Sequence, residues 1–229
     1  RKGLPLEGIT YGVNEEADYS AVNVRVENGA YQFDLQTPTD LIENIILHLP
    51  GTHNVSNAVA AMAMALEFGC AKDVLKSALE SYKGVKRRFT YQIKTDDFVF
   101  IDDYAHHPTE INAVYQAVKE MYPNDKIAVV FQPHLFSRTK DFADAFADSL
   151  SQFDAVFLLE IYPARELPIS GVTSSWLLDK IQSPVKKLIS KSDIVSEIKN
   201  TGYPVFITLG AGDIGVEVSA LKEKLRYAY

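Results

Sequence analysis

At 229 residues the chain has the length of one large domain or two small ones, and either can bury a real core. Hydrophobic residues at 47% and charged residues at 23% are globular proportions, which excludes disordered, collagenous and coiled-coil chains. The 23 Lys and Arg against 30 Asp and Glu leave a net charge of −7, so no general attraction to nucleic acid or to an anionic membrane surface is expected.

No apolar run approaches the ~18 residues of a membrane span; the longest, after His53, is interrupted by Glu67. The single cysteine, Cys70, has no intrachain disulfide partner, which suits a reducing cytoplasm. No signal-peptide pattern is present. A start on Arg1-Lys2-Gly3 without Met reads as a chain cut from something longer.

The first fifty residues read as β-structure. A strand at 9–13 precedes a hairpin in which Val22, Val24 and Val26 alternate with polar residues, Asn28-Gly29 supplies a type I′ turn, and Tyr31, Phe33 and Leu35 alternate on the return. Ile45, Leu47 and Leu49 form a further strand, stopped by Pro50-Gly51. Residues 54–68 are apolar almost all round, which predicts a helix buried on every side and ended by Gly69. A second helix over 72–82 places Val74, Leu75, Ala78, Leu79 and Tyr82 at helical spacing. The basic stretch Lys83-Gly84-Val85-Lys86-Arg87-Arg88 then marks a boundary, giving domains 1–88 and 89–229.

Beyond it the pattern becomes alternating β and α. Strands are predicted at 98–102, 126–131, 154–160, 185–189 and 204–209, short and apolar on both faces as buried parallel strands are. Helices fall at 109–121, 139–152, 174–182, 193–200 and 213–226. The fold class is therefore α/β, with a parallel sheet covered by helices on both faces.

Ligands of open α/β sheets bind beyond the carboxyl ends of the strands. Those ends carry Asp102-Asp103-Tyr104-Ala105-His106-His107-Pro108, then Gln132-Pro133-His134-Leu135-Phe136-Ser137-Arg138, then Tyr162-Pro163-Ala164-Arg165-Glu166, and finally Gly210-Ala211-Gly212-Asp213. Carboxylates, imidazoles and guanidiniums gathered on one rim exceed what turns require. Asp102-Asp103 can be turn residues or can mark Mg²⁺ with phosphate oxygens. His106, His107 and His134 lack the spacing of a structural zinc site, so no metal ligand is assigned, although a metal-dependent hydrolase built on them stays open as an alternative. Arg138 and Arg165 at helix starts oppose the helix dipole unless an anion is bound nearby. Gly210-Ala211-Gly212-Asp213-Ile214-Gly215 matches G-x-G-x-x-G, but no later strand carries the acidic ribose-binding residue, so it reads as a tight turn whose amides can face an anion.

Taken together, these segments resemble the Mur ligase family, and within it the L-alanine-adding branch. The resemblance rests on Gly51-Thr52-His53-Asn54-Val55-Ser56-Asn57-Ala58, on Arg87-Arg88-Phe89, on Asp102 through Glu110, on Phe131-Gln132-Pro133-His134 with Ser137-Arg138-Thr139, on Tyr162, Ala164 and Glu166, and on Gly210 through Asp213. It covers the chain from about residue 45 onward. The family commonly has Arg where this chain has Leu135.

The resemblance implies that residues 1–88 are the back half of a central α/β ATPase domain, an antiparallel hairpin plus helices, and that 89–229 are a Rossmann-like C-terminal domain that closes onto it. The P-loop pattern G-x-x-G-K-[ST] is not in the sequence, so this chain alone is expected neither to hydrolyse ATP nor to ligate. The family activity would be ATP-dependent amide formation between UDP-N-acetylmuramate and L-alanine through an acyl phosphate, in cytoplasmic peptidoglycan precursor synthesis, with ATP and Mg²⁺. By the same resemblance His53, Asn54, Asn57, Arg88 and Asp103 would bind ATP. Tyr104, His106, His107, His134, Arg138 and Glu166 would bind substrate, with Asp103, His106 and Arg138 catalytic. Alternatives are a ligase that recycles a tripeptide onto UDP-N-acetylmuramate and a non-catalytic anion-binding module. Apolar surface on 54–68 would be exposed, or covered by a second copy in a dimer.

Overall fold

The computed structural model describes residues 8–27 and 29–226. These form two compact units divided between Gly84 and Val85.

In the first unit, β1 (Tyr11–Val13), β2 (Tyr19–Glu27), β3 (Ala30–Gln36) and β4 (Leu41–Leu47) form a sheet in that order. β1 runs parallel to β2, and the β2–β3 and β3–β4 pairs are antiparallel. Asn28 of the expected turn lies outside the described residues. On β3 the alternation holds, with Tyr31, Phe33 and Leu35 buried. On β2 it does not: Tyr19 and Ala21 enter the core, while Val26 is exposed and Val22 and Val24 are half-buried. The register shifts between Val22 and Arg25, where Asn23 takes a φ of 54°, and a bulge of this kind turns the following side chains to the other face. Buried Asp34 accepts from Asn23 Nδ2 and from the backbone N–H of Asn44, both at 2.8 Å. One carboxylate thus ties together two bulges, and those hydrogen bonds hold its pKa below the ordinary value.

Helix α1 (Thr52–Glu67) follows Gly51, whose φ is 101°. Val55, Ala58, Val59, Met62 and Ala63 are buried, but Met64 is 65% exposed and Phe68, just past the helix, 86% exposed. The expectation of burial on every side is therefore corrected. Among the described residues the main partners of α1 are β1, β2 and α2 (Lys72–Ser81), and apolar composition cannot bury a face that none of them covers. Among its described residues α2 buries none, and it is tied to β4 and the turn before it by a Lys72–Asp40 ion pair and by Lys76 Nζ donating to Glu43 O.

The second unit opens on β5 (Thr90–Lys94), a strand that the sequence reading does not assign. It pairs antiparallel with β6 (Val99–Asp103) at the sheet edge. The other strands are β7 (Ile127–Phe131), β8 (Ala155–Leu158), β9 (Val185–Leu188) and β10 (Val205–Leu209). The order is β5-β6-β10-β7-β8-β9, parallel throughout from β6 onward. Alternate residues of each strand enter two different cores. Ile101, Val129, Val156 and Ile207 pack with α3 (Pro108–Met121), α5 (Ala143–Leu150) and α6 (Ser174–Lys180). Phe100, Val130, Phe157 and Phe206 pack with α7 (Ile194–Thr201) and α8 (Ile214–Arg226). The helix expected over 139–152 is two, α4 (Phe136–Asp141) and α5, broken at Phe142.

Sequence reading ends the first domain at Arg88, whereas the chain divides after Gly84. Arg87 explains the difference, because its Nε meets Asp102 at 3.0 Å and its Nη2 donates to Gly210 O at 2.6 Å, both within the second unit.

Candidate functional site

Parallel strands deliver their carboxyl ends to one edge, and β6, β7, β8 and β10 bring the four polar segments there. The side chains then sort into those that hold the edge together and those left open.

The acidic pair belongs to the first group. Asp102 is fully buried, with Oδ2 on Arg87 Nε and Oδ1 accepting from Thr208 Oγ1 at 2.8 Å. Asp103 accepts from the backbone N–H groups of Phe89 at 2.6 Å and Ala105 at 2.7 Å. Burial outweighs those donors and raises its carboxyl to about 6. Asp103, expected beside the nucleotide and in catalysis, is therefore turned inward, and the pair offers no open face to Mg²⁺. Among the described residues no group of three His, Cys, Asp or Glu is placed to hold a metal ion.

The glycine motif is likewise filled from within. The side-chain oxygen of Gln132 accepts from Ile214 N at 2.8 Å, and its amide donates to Asp213 Oδ1 at 2.7 Å. A Cβ on Gly212 would lie 2.4 Å from Gln132 Oε1, and one on Gly215 would lie 2.4 Å from Arg87 Nη1. Two of the glycines make room for side chains of this chain. The first amide of α8, that of Ile214, faces Gln132.

His107 N-caps α3, its Nδ1 accepting from Thr109 N at 3.3 Å, and its ring packs on Phe142. Glu166, expected to bind substrate, gives both carboxylate oxygens to Ser137, at 2.9 Å from its N–H and 2.5 Å from its Oγ. The Ser137 bonds hold the Glu166 pKa below its ordinary value. Both residues shape loops.

What remains open is an aromatic and cationic row. Tyr104 meets His106 edge to face at 5.3 Å, His106 meets His134 at 6.2 Å, and His134 stacks on Tyr162 at 5.6 Å. The guanidinium of Arg87 lies 5.1 Å and that of Arg88 5.8 Å from the Tyr104 ring centre. His106 Nδ1 faces two acceptors, Tyr104 O at 2.9 Å and Glu110 Oε2 at 3.2 Å, so it carries the proton. His134 Nδ1 and Arg138 Nη1 are buried, and among the described residues no group bonds to either. Burial, with Arg138 and His106 nearby, lowers the His134 pKa and so favours the neutral imidazole. A buried guanidinium nitrogen without an acceptor is costly and is a place for an anionic ligand.

A cavity of about 350 Å³ is lined by Gln132, Tyr162, Ser190, Lys191 and Asp213 among others. Its Lys191 and Asp213 pair with each other at 2.5 Å.

In the first unit, Asn54 Nδ2 donates to Pro50 O at 2.7 Å, which closes the turn into α1, and His53 and Asn57 are exposed. Arg88 is exposed, with Glu110 at 3.7 Å. Sequence reasoning missed the closing roles of Arg87, Gln132 and Ser137. Only the places of Arg87 beside Arg88, of Gln132 two residues before His134 and of Ser137 beside Arg138 signalled them.

Comparison with known proteins shows the family. A family model described as Mur ligase, glutamate ligase domain, matches residues 87–209, and one described as Mur ligase middle domain matches residues 2–65. A UDP-N-acetylmuramate–L-alanine ligase of Flavobacterium johnsoniae is 56% identical, over 98% of this chain and 50% of that protein. One of Christiangramia forsetii is 58% identical over the same shares. The crystal structure of a UDP-N-acetylmuramate-alanine ligase from Thermotoga maritima superposes with a TM-score of 0.79 at 27% identity, covering 96% of this chain and 48% of that one. The chain thus spans about half the length of these relatives. With both family models matched in order, and the rim of the second unit carrying the residues described, the chain belongs to the Mur ligase family.

Proposed function

We propose that the row Tyr104, His106, His134 and Arg138 receives the amino acid and the acyl end of the sugar nucleotide in an ATP-dependent ligase that joins L-alanine to UDP-N-acetylmuramate. The observation that carries this reading is the pair of buried, unpartnered groups, His134 Nδ1 and Arg138 Nη1. A guanidinium suits a carboxylate or phosphate oxygen, and a neutral imidazole suits the amine that must attack.

ATP supplies the phosphoryl group that turns the lactyl carboxylate into an acyl phosphate. Asn54 and Asn57 would take the adenine and ribose, His53 would also bind ATP, and Arg88 would take phosphate oxygens. The exposed Asn57 and Arg88 fit such contacts. Asp102 and Asp103 do not fit Mg²⁺, since their oxygens are spent inside the protein. Arg138 would hold the carboxylate of L-alanine and leave its amine toward His134. Attack of the amine nitrogen on the acyl carbon forms the amide and releases phosphate, and the row orients the two partners, which is where most of the rate gain lies. The setting is cytoplasmic precursor synthesis, in keeping with the lack, among the described residues, of a helix long and apolar enough to cross a membrane.

The test is a chimera joining the remaining half of the Flavobacterium johnsoniae relative to this chain. Phosphate release should require ATP, UDP-N-acetylmuramate and L-alanine together, and Arg138→Ala should lower kcat/KM about 100-fold or more. A folded chimera active with tripeptide but not with L-alanine would move the reading to the recycling reaction. Full activity in Arg138→Ala would end it.

A further inference from the structure

Leu135 stands in the chain between the two residues with buried, unpartnered groups, His134 and Arg138, and carries a backbone that leucine avoids, with φ 72° and ψ 134°. A β-carbon makes this region costly for any residue but glycine. The other helix start of similar shape, before α1, has φ 101° and ψ 134° and is occupied by Gly51. Something must hold Leu135 there, and the loop is fastened on both sides of it. Leu135 N–H donates to Tyr162 O at 2.9 Å, and Tyr162 N–H donates to Pro133 O at 2.8 Å, which clamps His134 between two rungs. Leu135 O accepts from Thr139 N at 3.1 Å and from Thr139 Oγ1 at 2.8 Å, and Thr139 is fully buried. Glu166 grips Ser137 by both its N–H and its hydroxyl.

A conformation so fastened persists only because its surroundings overdetermine it, and such strain gathers where side chains must be aimed. The strand-side clamp sets the ring of His134, the helix-side clamp sets Arg138, and the single residue that reconciles the two directions is Leu135. From this juxtaposition we propose that Leu135 is a positioning residue, whose strained backbone keeps the buried His134 Nδ1 and Arg138 Nη1 without a partner inside the protein, and so available to a ligand, instead of letting the loop relax. What the pair is aimed at rests on the anion-binding reading above. The strain itself does not.

Three forms of the 229-residue chain test this: wild type, Leu135→Ala and Leu135→Gly. The alanine form keeps a β-carbon and so keeps the strain; the glycine form releases it. At an ordinary position glycine is the less stable of the two. Here Leu135→Gly should unfold about 2–5 °C above Leu135→Ala, followed by Trp176 fluorescence. Backbone NMR order parameters of residues 133–137 should fall in Leu135→Gly alone. Titration with inorganic phosphate, followed at the side-chain resonances of Arg138 and His134, should show affinity about tenfold weaker in Leu135→Gly than in Leu135→Ala, because the freed loop must be reordered on binding. A glycine form that melts below the alanine form, or a loop equally ordered in both, overturns the inference. If wild type binds no phosphate, the anion-binding reading falls, and melting and loop order still decide the role of Leu135.

Discussion

Replacing Gly215 with alanine puts the clasp at the sheet edge to the sharpest test. Gly215 is the second residue of α8, where alanine ordinarily gains up to about 1 kcal/mol over glycine. Its β-carbon, however, would lie 2.4 Å from Arg87 Nη1, 2.5 Å from Cζ and 3.0 Å from Nε. The guanidinium must leave, and it leaves behind Asp102, whose side chain is 0% exposed and keeps only Thr208. Breaking a buried ion pair from one side costs roughly 3–5 kcal/mol. The net loss is then about 2–4 kcal/mol, or roughly 5–15 °C in the midpoint of a unit this size. Trp176, the single tryptophan, lies in α6 of the second unit and reports its unfolding without interference. In an Arg87→Ala background the same change should cost nothing or stabilise slightly, since the clash and the pair are both gone. A Gly215→Ala protein melting at or above wild type, or an equal loss in both backgrounds, would refute the clasp.

The Asp103 carboxyl should titrate near 6 by ¹³C NMR, since burial raises it to about 6. Its native pKa lies above the ~3.9 of an unfolded chain. The folded protein therefore holds the extra proton between those values, and this group's contribution to stability falls as pH rises from ~4 to about 6. Asp103→Asn should remove that part of the pH profile, and a titration below 4 would contradict the burial argument. The His134 imidazole should titrate below the ordinary ~6.5 and shift upward when phosphate binds, because an anion favours the charged ring; a fall on binding would place the anion elsewhere. The purified chain should release no phosphate from ATP, as no P-loop sequence is present; measurable turnover would overturn that expectation. Sedimentation should show self-association through the exposed Met64 and Phe68, which Phe68→Asp abolishes at little cost in stability. A strictly monomeric wild type would refute it.

Much of the fold was legible because its signals are local. Short runs of Val, Ile and Phe at β6, β7, β8 and β10 are buried on both faces only in a covered parallel sheet, and the helices between them leave little other choice of architecture. β5 escaped notice since it lies directly beyond a basic stretch, and an edge strand needs only one buried face. The hairpin was read in the right place with the wrong buried face on β2, because a bulge is set by what Asn23 bonds to across the sheet.

Residue types and their order by themselves determined which segments reach the rim and to which family the chain is similar. Which of those side chains keep a polar group without a partner was decided only in three dimensions. Asp103, His107 and Glu166 look as reactive in the sequence as His134 and Arg138, yet backbone donors, a helix start and Ser137 consume them. A polar group's availability depends on whether folding has already given it a partner, and those partners lie up to 29 positions away along the chain. For the Arg87 clasp the separation is 123 positions, a distance that no local pattern spans.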